Sequence, residues 1–119
     1  MKIIVELETD KLKNKSLVQV IRQMIDYDDL EKLAHHDDAS VRSEVAANKY
    51  TSAETLNYLS KDKNFIVKCA VASNENTSEE TLYNLATEGD FLICERIAQR
   101  VGLSNRIKDV LSKKNTKED

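Results

Sequence analysis

Apolar residues recur along the chain at helical spacing, in a pattern that returns every 26 residues. Residues 30–55 (LEKLAHHDDASVRSEVAANKYTSAET) and 56–81 (LNYLSKDKNFIVKCAVASNENTSEET) are identical at ten of 26 positions, without a gap. Residues 82–107 keep the apolar positions but lose the closing TSxET motif. Self-similarity at a fixed period is typical of stacked units, none of which can bury its apolar face alone.

Each unit is predicted to form two short helices, of which the first carries paired leucines on one face. These pairs are Leu56/Leu59 and Leu82/Leu85. The T-x-x-E spacing of a capping box precedes them, at Thr51/Glu54 and Thr77/Glu80. In that motif the hydroxyl accepts from a backbone amide and the carboxylate reaches back to the cap. Threonine is therefore predicted as the N-cap of the first helix.

The second helix of each unit is predicted to begin after a polar N-cap and to stack apolar residues four positions apart. The caps are Asp38, Asn64 and Asp90, and the stacked pairs are Val41/Val45, Val67/Val71 and Ile93/Ile97. Small residues for close helix packing follow at Ala46, Ala72 and Ala98. Asn48 and Asn74 come next, where a residue in the left-handed conformation can end a helix.

Both ends of the unit series are predicted to carry capping helices. The N-terminal one is amphipathic, with Ser16 as its N-cap and apolar positions Leu17, Val20, Ile21, Met24 and Ile25. Upstream, MKIIVEL fits either a short strand or an extended arm. At the other end, Ser104 is in register with Ser52 and Ser78, and Ile107, Val110 and Leu111 form a last short helix. SKKNTKED is predicted to be a solvated, frayed tail.

The motif L-x-x-L-A, a polar turn, V-R-x-x-V-A-x-N and then T-x-x-E-x-L resembles the leucine-rich repeat variant family, a branch of the HEAT-like helical repeats. The resemblance covers about residues 28–107 and implies paired helices stacked into a right-handed superhelix. This unit is slightly longer than the family's, and Lys49, Glu75, Ser52 and Ser78 stand where the family often has proline. One family member holds an iron–sulfur cluster in a cysteine-rich N-terminal segment, which has no counterpart here, so no cofactor is expected.

The fold prediction is an all-α, right-handed α-solenoid of about three two-helix repeats with helical caps. Residues 1–29 form the N-terminal segment and cap, residues 30–55, 56–81 and 82–107 the repeats, and residues 108–119 the end of the C-terminal cap and the tail. A chain of 119 residues without proline or tryptophan, with only two glycines, suits one helical domain. Helical repeats host many unrelated binding roles, so the fold class alone indicates no activity.

Charge and cysteine content narrow the possible partners. The net charge of −3 gives no overall attraction for nucleic acid or an acidic membrane, although Arg96 to the end has seven basic residues against three acidic ones. The first residues have only three consecutive apolar positions before the first acid, so no signal peptide is expected, and no apolar run reaches the length of a membrane span. Two cysteines are too few for a disulfide framework, which favours a reduced, cytoplasmic location.

The stretch HHDD, residues 35–38, holds the only two histidines in the chain. It aligns with KDKN and TEGD in the next two units, which makes it the polar turn between two helices, with Asp38 as N-cap and Asp37 favourable at a helix N-terminus. A metal site needs three or four convergent ligands, and a His-Asp phosphohydrolase needs a further histidine. We therefore expect no metal and no catalytic residue in this turn.

Two further groups have a structural and a functional interpretation. Cys69 and Cys94 are interpreted as buried structural thiols, because a reactive one would need a histidine partner. Arg42 and Lys68 share a repeat position and Arg96 lies near it, so they could form a basic row for phosphates. The alternative is that the arginine pairs with carboxylates inside the stack.

Four large apolar residues stand where the first unit has only Ala39 and Ser40. These are Phe65, Ile66, Phe91 and Leu92, called here the apolar strip. The simpler interpretation is core packing against a terminal cap, and the alternative is an exposed binding site for a partner.

No constellation of residues supports an enzyme. The sequence therefore predicts a protein–protein interaction module without catalytic activity, with the apolar strip as the candidate binding site and an unknown protein as partner. The alternative is a small nucleic-acid-binding HEAT-like repeat that uses the basic row and the basic C-terminal end.

Overall fold

Eight α-helices make up most of the part of the chain that the computed structural model describes, residues 14–24 and 26–116. They are α1 (Asn14–Arg22), α2 (Tyr27–Leu33), α3 (Ala39–Ala47), α4 (Ala53–Leu59), α5 (Phe65–Ser73), α6 (Glu79–Glu88), α7 (Phe91–Ala98) and α8 (Asn105–Thr116). These residues contain no β-strand, which confirms the all-α class for them. The alternatives for MKIIVEL, the predicted position of Ile25 and the last three residues of the tail lie outside the described ranges.

The helices pack in two layers that follow the order of the chain. Helices α1, α3, α5 and α7 form one layer, in which each helix contacts the next. In the other layer, α2 packs against α3, α4 against both α3 and α5, and α6 against both α7 and α8, while α8 also contacts α7. The apolar core lies between the layers, so each first helix is held by the second helices beside it.

The predicted apolar positions form this core. The paired leucines of the first helices and the stacked branched residues of the second helices are at most 4% exposed. Leu17, Ile21 and Met24 join them and are at most 5% exposed, so α1 covers the first unit as predicted. Ala46 and Ala72 are fully buried, whereas Ala98 at the same register is exposed, since it lies at the end of the helix layer.

Every second helix begins at the predicted N-cap. The Asp38 carboxylate accepts from the amide of Ser40 at 2.8 Å. The Asn64 side chain accepts from two amides of α5, and the Asp90 carboxylate from two amides of α7. These contacts satisfy helix-start amides that have no partner inside the helix.

The predicted capping box of the first helices is wrong by one residue. Ser52 and Ser78 are the N-caps, and each accepts from the backbone amide three residues later at 3.1 Å. Thr51 and Thr77 instead point into the protein, where their hydroxyls donate at 2.6 Å to the carbonyls of Val45 and Val71. The buried threonine thus ties the loop to the helix before it, and the adjacent serine begins the next helix.

Asn48 and Asn74 end their helices, but not in the predicted left-handed conformation. Their φ angles are −73° and −78° with extended ψ. Their backbone amides donate to the carbonyls of Val45 and Val71, and their side chains add further contacts. The Asn74 side-chain amide donates to the carbonyls of Ala46 and Asn48 at 2.8 and 2.9 Å, across to the preceding unit. Its oxygen accepts from the amide of Asn76.

The same contact occurs once per unit along one side of the molecule. Asn48 donates to the carbonyls of Ile21 and Met24 at 2.7 and 3.0 Å. In the third unit Arg100 replaces asparagine and donates to the carbonyls of Ala72 and Asn74 at 3.0 and 2.9 Å. We call this series, formed by Asn48, Asn74 and Arg100, the carbonyl ladder. It joins the C-terminal end of each second helix to the next.

The two terminal helices are longer than predicted at their outer ends. Helix α1 begins at Asn14, so Ser16 lies within it and is not the N-cap. Helix α8 continues to Thr116 through most of the segment predicted to fray, and an Asp109–Lys113 ion pair at i,i+4 spacing supports its middle turn. Ser104 caps α8 as predicted and accepts from the amide of Ile107 at 3.2 Å.

Arg106 holds α8 on α6. Its guanidinium lies 3.8 Å from the centroid of the Tyr83 ring, and its Nη2 donates to Glu79 and Glu80 at 2.9 Å each. Hydrogen bonds from Ser104 and then from Arg106 lower the pKa of Glu79 below its usual value. Because these side chains are about half exposed, we expect them to orient α8 more than to stabilise it.

The carbonyl ladder generates a stability prediction. Asn74→Ala removes two donors from buried carbonyls, and we expect it to lower the free energy of unfolding by about 2–3 kcal/mol in urea melts. The matched control is Asn84→Ala on the exposed face of α6, which should change stability by less than about 0.5 kcal/mol. Equal urea midpoints for the two variants would show that the ladder contributes nothing to stability.

Candidate functional site

The HHDD residues form the turn between α2 and α3. Nδ1 of His36 accepts from the backbone amide of Asp38 at 3.0 Å, and Asp38 caps α3. The His35 ring lies against the Tyr58 ring, with 4.4 Å between centroids and 43° between planes. No group of three or more His, Cys, Asp or Glu side chains within the described ranges is placed to hold a metal ion. The turn therefore positions α3, as its register indicates.

A shallow cavity of about 520 Å³ opens beside this turn. It is lined by both histidines, Asp37, Arg42, Tyr58, Lys61, Asp62 and Lys63. The two lysines are exposed, while the arginine and the second aspartate are paired with each other.

Arg42 forms the best-connected polar contact in the described part of the chain. Its guanidinium binds both carboxylate oxygens of Asp62, at 2.7 and 3.2 Å, and its Nη1 donates to the carbonyls of His36 and Asp37. The two charged side chains are only 11% and 7% exposed. The Arg42 side chain therefore joins the turn between α2 and α3 to the turn between α4 and α5.

The pKa values of this pair follow from those contacts. The hydrogen bond to Asp62 holds the pKa of Arg42 above its usual value, although burial opposes the shift. Burial raises the pKa of Asp62, but the Arg42 hydrogen bond and the amide of Asn64 outweigh it, so that the pKa is lowered. The pair is therefore ionised at neutral pH and bound in a fork geometry, which is strong and directional.

The three residues of the predicted basic row have different roles in the structure. Arg42 is bound to Asp62, and Lys68 at the same register lies 3.3 Å from Glu88. Arg96 lies two positions off that register and donates to Ser73 at 3.2 Å. The structure thus contains the pairing of arginine with a carboxylate that was the alternative interpretation of this row. Phosphate binding by the row stays a prediction.

Both cysteines are buried and neither is in a disulfide, as the structural interpretation predicts. Burial raises the pKa of the Cys69 thiol, although nearby Arg96 opposes the shift. The Cys94 thiol donates weakly to the carbonyl of Ala86 at 3.6 Å. A thiol with a raised pKa is a poor nucleophile, which favours a packing role for Cys69.

The apolar strip is exposed, and the core interpretation of these four residues is wrong. Phe65 and Ile66 are 38% and 64% exposed, and Phe91 and Leu92 are 55% and 51% exposed. They occupy the first turns of α5 and α7, which contact each other. The core is complete without them, because Val67 and Ile93 fill it one and two positions further along.

Sequence reasoning missed a second cavity, of about 380 Å³, at the C-terminal end of the helix layers. It is lined by Ala98, Arg100, Leu103, Lys108, Leu111 and Ser112. The signal was present in the 26-residue register, because the same positions of the earlier units are core residues. The sequence of the third unit, taken alone, does not indicate that these positions are exposed.

Comparison with known proteins found no matching family model, no matching curated protein and no matching solved structure. The resemblance to leucine-rich repeat variants therefore rests on the sequence motifs alone. Within the described ranges, no helix combines the length and apolar character needed to cross a membrane.

The Arg42–Asp62 pair generates a prediction about pH. Asp62→Asn leaves a nearly buried guanidinium without its carboxylate, so we expect a loss of roughly 1–3 kcal/mol at pH 7 in urea melts. The folded pKa of Asp62 is lowered, so its ionisation stabilises the fold above the unfolded-state pKa, and this is lost as the pH falls through the folded value. The difference between wild type and variant should therefore shrink in acid.

Glu88→Gln is the matched control, because Glu88 stands 26 residues later and is paired with Lys68, but is 47% exposed. We expect it to cost less than about 1 kcal/mol. A loss equal to that of Asp62→Asn, or a loss from Asp62→Asn that is the same at acid and neutral pH, would contradict the role assigned to the buried pair.

The turn between α2 and α3 generates a prediction about metals. We expect zinc, nickel and manganese to bind only as weakly as they bind exposed histidines, because Nδ1 of His36 is already an acceptor for the backbone. Isothermal titration calorimetry measures this. A sub-micromolar site that disappears in His36→Ala would overturn the interpretation of HHDD as a capped turn.

Proposed function

We propose that this chain is a protein–protein interaction module built as a right-handed α-solenoid of about three two-helix repeats, without catalytic activity. Two observations support the solenoid. The carbonyl ladder and the Arg42–Asp62 and Lys68–Glu88 pairs repeat at the 26-residue period of the sequence. The second helices also contact one another in chain order, as nearest neighbours do in a solenoid.

The apolar strip is the observation that carries the binding proposal. Four large apolar side chains, each at least 38% exposed, occupy the first turns of α5 and α7, two helices that contact each other. Ala39 and Ser40 at the same positions show that the unit does not need bulk there for folding. Contiguous exposed apolar groups favour aggregation unless they are covered, so such a patch is typical of an interaction site. Large residues also dominate the binding energy of protein interfaces.

The proposal of a non-enzymatic role rests on where the reactive side chains are. The cysteines are buried, one imidazole accepts from the backbone, and the paired arginine and aspartate join two turns. We extend the proposal to a cytoplasmic location, on the grounds of two reduced thiols. The partner is expected to be a protein that offers an apolar surface, bound without a cofactor.

Nucleic-acid binding by the basic row and the basic C-terminal end remains the alternative. The engagement of Arg42 by Asp62 weakens it, because a guanidinium bound to a carboxylate is not available to a phosphate. A gel-shift titration with RNA and DNA at increasing salt tests it. A steep loss of affinity with salt would favour this alternative, since phosphate contacts release counterions.

The strip is tested by Phe65→Ser combined with Ile66→Ser. Because both side chains are exposed, we expect the double variant to keep its stability within about 1 kcal/mol of wild type. We expect it to lose the partners that the wild-type chain captures, measured by affinity capture with quantitative mass spectrometry. Thermal melts of the two proteins verify the fold.

Tyr27→Ser is the control variant, because Tyr27 is 63% exposed on α2, in the other helix layer. It should leave capture unchanged. Two results would contradict the proposal: a large fall in melting temperature for the double variant, which would return the strip to the core, or capture of the same proteins by the double variant and wild type.

A further inference from the structure

The cavity at the C-terminal end has the geometry of a vacant helix position. Its lining residues, called here the end groove, are Ala98, Arg100, Leu103, Lys108, Leu111 and Ser112. Each of the six is exposed or half-buried. The groove runs between the end of α7 and the outer face of α8. In the order of the layers, this is where a second helix following α8 would lie.

The 26-residue register shows that a helix covers the equivalent positions of the earlier units. Twenty-six residues earlier, the six positions are Ala72, Asn74, Thr77, Leu82, Leu85 and Ala86, and all are at most 7% exposed. Fifty-two residues earlier they are Ala46, Asn48, Thr51, Leu56, Leu59 and Ser60, and all are at most 6% exposed. In both earlier units these positions are covered by the stacking of the next second helix on the one before. The end groove is the same surface without that helix.

The carbonyl ladder stops at the same place. The carbonyls of Ala46 and Asn48 accept from Asn74, and those of Ala72 and Asn74 accept from Arg100. The next pair in this series is the carbonyls of Ala98 and Arg100, to which no side chain of the described ranges donates. In the 26-residue register these two carbonyls correspond to those of Ala72 and Asn74, which accept from Arg100.

The chemistry of the groove specifies its occupant. Three groove residues differ in polarity or charge from the residues 26 positions earlier. Arg100, Lys108 and Ser112 stand in place of Asn74, Leu82 and Ala86, which adds two positive charges. Leu103 and Leu111 keep an apolar floor between them. An occupant therefore needs apolar residues on one face of a helix, acidic residues beside that face, and a side-chain donor just beyond its C-terminal end.

A second copy of the chain fits this groove poorly. Within the described ranges, the helix it would offer is α1, at the other end of the second-helix layer. The sequence of α1, NKSLVQVIR, contains a lysine and an arginine and no acidic residue. Stacking α1 on the end groove would bring like charges together, which disfavours the contact.

We propose that the end groove binds an acidic amphipathic helix of a partner protein. The helix stacks on α7 and α8 as one more second helix, with its apolar face on Leu103 and Leu111 and its carboxylates beside Arg100 and Lys108. A side-chain amide after its last turn donates to the carbonyls of Ala98 and Arg100 and extends the carbonyl ladder by one rung. This site is separate from the apolar strip and does not depend on it.

The test uses the full chain and a fluorescein-labelled synthetic peptide. The peptide has about 18 residues, long enough for measurable helicity, with leucine and valine on one face, glutamate on the other and asparagine after the last turn. One control peptide has lysine in place of every glutamate. The other has the same composition as the acidic peptide in scrambled order. Fluorescence anisotropy should show binding of the acidic helix alone, with an affinity that falls as salt is added.

Two variants of the protein probe the groove. Lys108→Glu reverses a charge and Ala98→Glu places a large acidic side chain in the groove, and both positions are exposed, so the fold should persist in thermal melts. We expect each to weaken peptide binding by at least about tenfold. Lys63→Glu, an equal charge reversal beside the other cavity, should leave binding unchanged. The Phe65→Ser, Ile66→Ser double variant should also bind normally, which keeps this test separate from that of the apolar strip.

Four results would overturn the proposal. The first is that the acidic peptide does not bind at about 1 mM, and the second is that the basic or the scrambled peptide binds equally well. The third is that Lys108→Glu and Ala98→Glu bind the peptide as wild type does. The fourth is that the protein self-associates in sedimentation velocity and that Lys108→Glu abolishes this self-association. The last would assign the groove to a second copy of the chain.

Discussion

The structure depends on how the carbonyl groups at the end of each second helix find hydrogen-bond donors. The last carbonyls of any helix lack partners within it, and burying them without partners is costly. In α3 and α5 the chain leaves the helix in an extended conformation, and the backbone amides of Asn48 and Asn74 reach the carbonyls of Val45 and Val71 but not those of Ala46 and Ala72. The side-chain amide or guanidinium of the next unit donates to these last two carbonyls instead. Apolar contacts alone would tolerate small shifts between units, whereas this directional contact fixes how one unit lies on the next.

The same requirement accounts for the contacts of several polar side chains that the sequence singles out. The histidine turn, the arginine–aspartate pair and the threonine hydroxyls all satisfy backbone groups or join neighbouring turns. Each unit has two short helices and the loops between them, so many helix ends need partners in a small volume. The polar residues inside the stack meet that need.

The helices and the core were predictable from the sequence because they depend on local spacing. Leu56, Leu59 and the stacked valines repeat with helical periodicity, and burial followed from it. The cap of the first helix was not predictable with the same precision, because Thr51 and Ser52 are adjacent and both fit an N-cap; the choice depends on a contact of Thr51 with Val45 that spacing does not encode. The role of Asn74 likewise depends on a carbonyl 28 residues earlier.

The candidate binding surfaces were harder to predict, for a different reason. The bulk of Phe65 and Ile66 was visible in the sequence, but their exposure depends on Val67 already filling the core. Predicting the end groove from the sequence required knowing which positions a following helix covers. Three of its residues belong to the third unit and three to α8, and only the layer order shows that nothing within the described ranges lies over them.

The range of the contacts between units has a consequence for how the molecule opens and closes. Among the described residues, the hydrogen bonds that join one unit to the next connect positions 20 to 28 apart in the chain. Short closure distances favour rapid folding, and nearest-neighbour contacts let the ends open before the middle. Amide hydrogen exchange should therefore be slowest in α4 and α5 and quicken towards α1 and α8. A protein with such a gradient can exchange what is stacked on its last unit while its centre stays folded.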